Sequence, residues 1–284
     1  MNEVITRPRT EAALIRTVRR TVAAYSAIAS ISLKEAFAYT SRVWVPFVIQ
    51  FISIVVFIYF WRAVYASSGS TLGGLSLRQT LNYVILAQIL VQLWEAGYIG
   101  LFGYLLRQGQ MGLELVRPID FQFQFYTRQL ALLLYFILQR ALLIPVLWLF
   151  FGLQLPSNPW VWVAFGISVL LGHAVVFFFE WCIACLAFYT TEVGGLYQTR
   201  TALARFFSGS LVPLALMPAW LQALTGFFPF AQAVSVPISL LIGITPLTEA
   251  PRVWLIQLLW VVGLGVLSRL IFRVAIRKVT VQGG

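Results

Sequence analysis

A chain of 284 residues that is 60% hydrophobic and only 10% charged cannot dress a water-facing surface, since soluble domains carry about 25% charged residues. Its 20 Lys+Arg against 9 Asp+Glu give a net charge of +11. On a soluble domain that balance would suggest nucleic acid, whereas in a chain this apolar it fits basic cytoplasmic loops, and no nucleic-acid partner is expected. At about 20 residues per lipid crossing plus a connection, the length holds roughly six or seven spans.

The chain opens on Arg7, Arg9, Arg16, Arg19 and Arg20. No apolar run follows them directly and no small-residue cleavage pattern is visible, so no signal peptide is expected. From Arg16 to Phe37 the spacing predicts an amphipathic helix lying on the membrane. Val18, Val22, Tyr25, Ile28, Ala29, Leu33 and Ala36 fall in one arc, and Arg16, Arg19, Arg20, Ser26, Ser30 and Lys34 fall opposite. A cytosolic helix packed on a partner is the alternative, since Ile31 and Phe37 break the arc.

The apolar runs that follow predict an all-α integral membrane protein of six transmembrane helices. Val43–Trp61 is free of charge, Gln79–Leu106 carries Glu95, and Gln129–Leu153 contains Arg140 and Pro145. Trp160–Tyr189 contains His173 and Glu180, and Arg252–Ala275 is the last. Between them Phe206–Thr248 runs 43 residues without a charge. Pro213, Pro218, Pro229, Pro237 and Pro246 cut that stretch into pieces mostly too short to cross about 30 Å of hydrocarbon. We therefore expect one span near Arg205–Trp220 and short re-entrant helices over Leu221–Thr245, between spans five and six. One transmembrane domain then covers residues 1–284: an arm and interfacial helix to residue 42, a six-span bundle over 43–275, and a tail from 276.

With six spans and both termini on one side, most basic residues, from Arg7 through Arg117 to Lys278, share that side. Only Arg62, Arg78 and Arg252 lie opposite, which orients both termini to the cytoplasm.

Several chemistries are excluded. One histidine, His173, rules out a multi-histidine metal site or a His pair within one chain, and no catalytic or metal residue is assigned. Cys182 and Cys185 lie mid-helix without a second ligand pair and read as small packed residues. A phosphate-binding loop needs a lysine after glycine, and the only lysines are Lys34 and Lys278, in Leu-Lys-Glu and Arg-Lys-Val. No cofactor is expected on this chain.

The loop after span two reads Arg107-Gln-Gly-Gln-Met-Gly-Leu-Glu-Leu-Val-Arg-Pro-Ile-Asp120. Its Gly-x-Leu-x-x-x-Arg-Pro-Ile-Asp pattern resembles the first cytoplasmic loop of ABC-2 type transporter permeases. Ile31–Trp44 is similar to that family's approach to span one. Phe207-Ser-Gly-Ser-Leu-Val-Pro213, Pro218-Ala-Trp220 and Pro229-Phe230 resemble its span-five and re-entrant region. The resemblance covers nearly the whole chain. It implies the permease subunit of an ATP-driven exporter in a bacterial inner membrane, paired with a second permease chain, the same or related. Each permease would dock a cytosolic ABC ATPase subunit holding ATP and Mg, and the pair would work by alternating access. It also implies a coupling helix over Gly109–Asp120, with Gly109, Gly112, Leu113, Glu114, Leu115, Arg117, Pro118 and Asp120 as its working residues. The residues fit that role independently: Leu113, Leu115 and Val116 supply an apolar knob, Glu114 and Arg117 a polar rim, and Pro118 a helix stop. Nothing in the chain singles out a substrate.

Three charges fall inside the spans. Glu95 and Arg140 each lie about 11 residues, or roughly 16 Å, from the inner ends of their spans, and Glu180 about 14 Å from its own. A lone charge at that depth is costly, so each should have a partner or water. The depth match favours a Glu95–Arg140 pair, with Glu180 competing for the arginine, either as a clamp between spans or with one acid left to receive cargo. A proton-coupled secondary transporter using Glu95, Arg140 and Glu180 is the rival function, and a lipid-directed enzyme a second.

Overall fold

The computed structural model describes residues 8–38, 40–69, 71–91, 98–190 and 193–278. Most of them are helical. Helix α1 (Pro8–Ala38) leads to α2 (Thr40–Ser68). A two-residue hairpin of β1 (Thr71–Leu72) and β2 (Leu75–Ser76), closed by Gly73-Gly74, returns the chain into α3 (Leu77–Val91). Then come α4 (Tyr98–Arg107), the short α5 (Met111–Leu115), α6 (Phe121–Ala141) and α7 (Leu143–Phe151). The C-terminal half holds α8 (Pro159–Ala184), α9 (Gly194–Phe207), α10 (Ala219–Thr225), α11 (Phe230–Ala233), α12 (Ser235–Leu241) and α13 (Ala250–Ala275).

Four stretches are long and apolar enough to cross a bilayer: Trp44–Ser68, Phe121–Phe151, Pro159–Phe188 and Leu247–Lys278. A fifth arises if Ala219–Thr225 and Phe230–Leu241, bent by 79° at their junction, are counted together. Spans one, three, four and six of the sequence reading fall on the four stretches. Span three begins earlier than expected, because Asp120 caps α6 by accepting from the Phe123 amide at 2.7 Å. Its break at Leu142 follows from Pro145, whose missing N–H leaves the carbonyl four residues earlier without its helical donor.

Span two of the sequence reading falls on α3 and α4; residues 92–97 between them lie outside the described residues. Span five needs correction. The helix in that region is Gly194–Phe207, and Arg205–Trp220 is not one continuous helix. The chain turns at Ser208-Gly209-Ser210. Gly209 takes a left-handed φ of +78°, which side chains disfavour. Ser210 Oγ donates to the Arg205 carbonyl at 2.9 Å, closing off the last turn. The short helices expected over Leu221–Thr245 are present as α10, α11 and α12.

The half-buried face of α1 carries Tyr25, Ile28, Ala29, Leu33 and Ala36 from the expected arc, but it meets protein. Tyr25 meets Phe123 edge-on at 4.9 Å and Phe37 meets Tyr135 at 4.8 Å. The two contacts advance together, so α1 lies parallel alongside α6.

Helix α8 is the hub and touches α13, α12, α11 and α4. At Gly172 the backbone of α11 crosses it so closely that a Cβ would stand 2.6 Å from the Gln232 carbonyl oxygen and 2.8 Å from Ala233 Cα. From Thr80 to Val91 every residue of α3 is buried, polar ones included. Buried polar groups persist only when paired, and these are. Gln50 of α2 donates to the Gln88 carbonyl at 2.8 Å, and Gln88 donates to the Ser210 carbonyl at 2.9 Å. Tyr83 shares a 2.7 Å hydrogen bond with Ser235, whose hydroxyl donates to the Ser208 carbonyl.

Candidate coupling loop and intramembrane charges

Helix α4 ends in a turn closed by Gly109, whose amide donates to the Leu106 carbonyl at 3.1 Å. The chain then forms the single turn of α5. Gly112 lies within α5, and Pro118 follows it in the bend leading to Asp120. Met111 is 1% exposed and anchors α5 in a cluster with Phe102, Phe121, Phe125 and Trp181. Leu115 packs against the same cluster. Leu113 and Val116 point away, at 73% and 83% exposure. The expected three-residue knob is therefore a pair, Leu113 and Val116, with Leu115 serving as part of the base. A five-residue helix makes too few turns for periodicity to reveal that division.

The polar rim is organised. Arg117 pairs with Glu114 at 2.8 Å, and Gln124 of α6 donates to the same carboxylate at 3.1 Å. Asp120 holds Arg269 of α13 through two hydrogen bonds, of 2.6 and 2.8 Å. Partial burial would raise the Asp120 carboxyl pKa, but the hydrogen bonds from Arg269 and the Phe123 amide outweigh it and hold the group below its ordinary 3.8. The loop is thus joined to α13 by an ion pair and to α8 by aromatic packing. Phe102 meets Trp181 at 5.0 Å, and Phe121 stacks on Phe272 of α13 at 5.3 Å.

Of the three intramembrane charges, Glu95 lies outside the described residues, so its expected pairing with Arg140 does too. Arg140 is buried near the end of α6, with its guanidinium 6.0 Å from the Phe136 ring centre. Glu180 does not reach Arg140 as a competitor; its partner is Arg200 of α9. In the sequence, Arg200 is one of the many basic residues assigned to the cytoplasmic side and nothing marks it as a partner for Glu180. The available signal is position: Glu180 sits in an apolar helix with no other acid or cation, and Arg200 follows shortly after that helix ends, between Thr199 and Thr201.

In the region after α9, Pro213 precedes a 3-10 turn at Leu214–Leu216, Pro218 starts α10 and Pro229 starts α11. Phe230 is buried against Phe179 of α8 at 5.0 Å. No group of His, Cys, Asp or Glu suited to a metal ion occurs among the described residues.

Long apolar helices around a paired polar interior, with a single-turn helix standing out from one end, define a polytopic α-helical membrane protein. Residues 47–283 match the family model for the ABC-2 family transporter protein, and the chain belongs to that family. Searches of curated proteins and of solved structures returned no match. Membership gives the chain a permease role as the membrane component of a transporter, a component generally not catalytic itself.

Proposed function

We propose that this chain is the permease subunit of an ATP-driven exporter in a bacterial inner membrane. Two permease chains pair, each docks a cytosolic ATPase subunit that binds ATP and Mg, and α5 is the docking element. The observation carrying this reading is the exposed pair Leu113, on α5, and Val116, just past its end, with the helix's opposite side fixed by Met111. An apolar pair ringed by Glu114 and Arg117 has the make-up of a small interface centre with a polar rim. Its base leads directly to α8 and α13 through Trp181 and Phe272. ATP-driven closure of the ATPase pair would push α5, and the aromatic cluster would pass that displacement to the spans, alternating access to a cavity between the two permeases. α10, α11 and α12 form the re-entrant segment on the far side, with α11 and α12 buried against α8, since non-helical backbone is tolerated at membrane depth only where protein or water covers it. The pairing of Glu180 with Arg200 leaves that acid committed and lends no support to a proton relay through it.

The test is co-purification of the tagged full-length chain from its own membranes. Expected is an ATPase subunit at 1:1 stoichiometry, lost in Leu113→Asp/Val116→Asp, with thermal unfolding of the permease unchanged. Unaltered ATPase capture and transport by that variant would overturn the assignment of α5.

A further inference from the structure

A groove of about 550 Å³ runs between α6, α8 and α13 on the outer surface of the bundle. Its walls are apolar, with Phe123 and Tyr126 from α6, Phe178 from α8, and Val262 and Val266 from α13. Gly265 leaves its floor open, since a Cβ there would meet only the Phe178 ring, at 3.7 Å. One end is cationic: Arg269 and Arg273 both line it. Arg277, exposed a further four residues along, continues that row, because residues four apart share a helix face. The facing acid is Asp120, already engaged by Arg269, and Arg273 forms no ion pair among the described residues.

An apolar channel with a row of cations at one end is complementary to one kind of molecule in a bilayer. From Arg269 to Val261 the groove wall rises about 12 Å at 1.5 Å per residue, most of one leaflet of a hydrocarbon core about 30 Å thick. A lipid without net negative charge would leave Arg273 and Arg277 uncompensated, since Asp120 is taken up by Arg269, and a free phosphate would leave the channel unfilled. We propose that this groove is a binding site for an anionic phospholipid, with its phosphate held by Arg273 beside the Asp120-paired Arg269 and an acyl chain lying along Gly265 and Val262. Basic pockets at the ends of transmembrane helices select such headgroups by charge. The site is separate from α5 and does not depend on what docks there.

Native mass spectrometry of the purified full-length chain, titrated with phosphatidylglycerol or phosphatidylcholine of the same acyl chains, tests this. Expected is preferential retention of phosphatidylglycerol, weakened about fivefold by Arg273→Gln, removed by Gly265→Leu, and unchanged by Arg78→Gln at the exposed start of α3. Equal retention of the two lipids, or an Arg273→Gln variant that binds like the wild type, would overturn the proposal. Wild-type retention by Gly265→Leu would show headgroup capture without a chain site, which also overturns it. So would a disulfide between two copies carrying Val266→Cys, since the groove would then be covered by protein.

Discussion

Glu180 of α8 and Arg200 of α9 form an ion pair whose side chains are 0% and 4% exposed. α9 packs against α4 and α11, and from there Arg200 reaches Glu180 on α8. Removing two charges from water is costly, and the pair repays that cost only while both partners are present. Without Arg200, Glu180 would be a lone buried carboxylate in the bundle. Arg200→Leu should therefore destabilise the protein by about 3–5 kcal/mol, and Glu180→Leu/Arg200→Leu should recover much of that loss. Thermal unfolding of the purified variants decides it. A double variant no more stable than Arg200→Leu would show that the pair contributes no coupling.

The two sides of α5 should separate experimentally. Met111 fills the aromatic cluster, so Met111→Ala should cost about 2–5 kcal/mol in stability. Leu113→Ala and Val116→Ala remove exposed atoms and should stay within about 0.5 kcal/mol of the wild type. The discriminating measurement is unfolding of the permease alone, without any ATPase. If Leu113→Ala unfolds as early as Met111→Ala, the exposed face is a structural surface and not a docking one.

The contrast between these two sites shows what the sequence can carry. Long apolar runs with few charges identify α2, α6–α7, α8 and α13 because the requirement is one of length and composition, read along the chain. Asp120 and Pro118 mark the boundary of the loop because capping and proline act locally. Arg200 was not legible as the partner of Glu180, because depth counting measures height along each helix but not which helices are neighbours. Arg140 matched Glu180 in height, yet α9 supplies the partner. The expected span over Arg205–Trp220 failed for a related reason. Composition there is uniformly apolar, and the hydroxyls of Ser208 and Ser210 end the helix by bonding back to the Arg205 carbonyl.

Asp120 gives a pH dependence with a definite sign. Its carboxyl is held below 3.8 in the folded protein, so the stability it contributes is fully present above that value and is lost as pH falls through the lower, folded-state pKa. The pair with Arg269 should thus be indifferent to pH between about 5 and 8. Both side chains are over 40% exposed, so solvent screening limits the pair to about 1 kcal/mol. Asp120→Asn keeps an N-cap but loses the charge, and should show that small loss at neutral pH. Asp120→Ala loses the cap as well and should cost about 1 kcal/mol more. Unfolding curves at pH 7 for both variants check the order; equal losses would mean that the cap contributes nothing.

Gly172 is a packing constraint and not a hinge. The atoms that a Cβ would strike belong to the α11 backbone, which cannot rotate aside as a side chain can. Gly172→Ala should force α11 away from α8 and strain the hydrogen bond from Gln257 of α13 to the Gln232 carbonyl, now 2.8 Å. Overpacking of this kind costs about 1–3 kcal/mol. Gly166, an earlier position on α8 with open space around it, is the matched control. Equal stability of Gly172→Ala and Gly166→Ala would contradict the close crossing.

The orientation follows from where the charges lie. We expect α5 and both termini to face the cytosol, with the turn between α7 and α8 outside, because basic residues concentrate on the cytosolic side of membrane proteins. Gln110 and Ser157 are both exposed and sit at opposite ends of the α6–α7 stretch, so each reports one side. In a background carrying Cys182→Ala and Cys185→Ala, Ser157→Cys should react with a membrane-impermeant thiol reagent in intact cells. Gln110→Cys should react only after the membrane is opened. The 31 residues of Phe121–Phe151 measure about 46 Å at 1.5 Å per residue, longer than the hydrocarbon core of about 30 Å, so both reporters clear the bilayer. Labelling of Gln110→Cys in intact cells would invert the orientation and remove α5 from the reach of any cytosolic ATPase, and with it the proposed docking function.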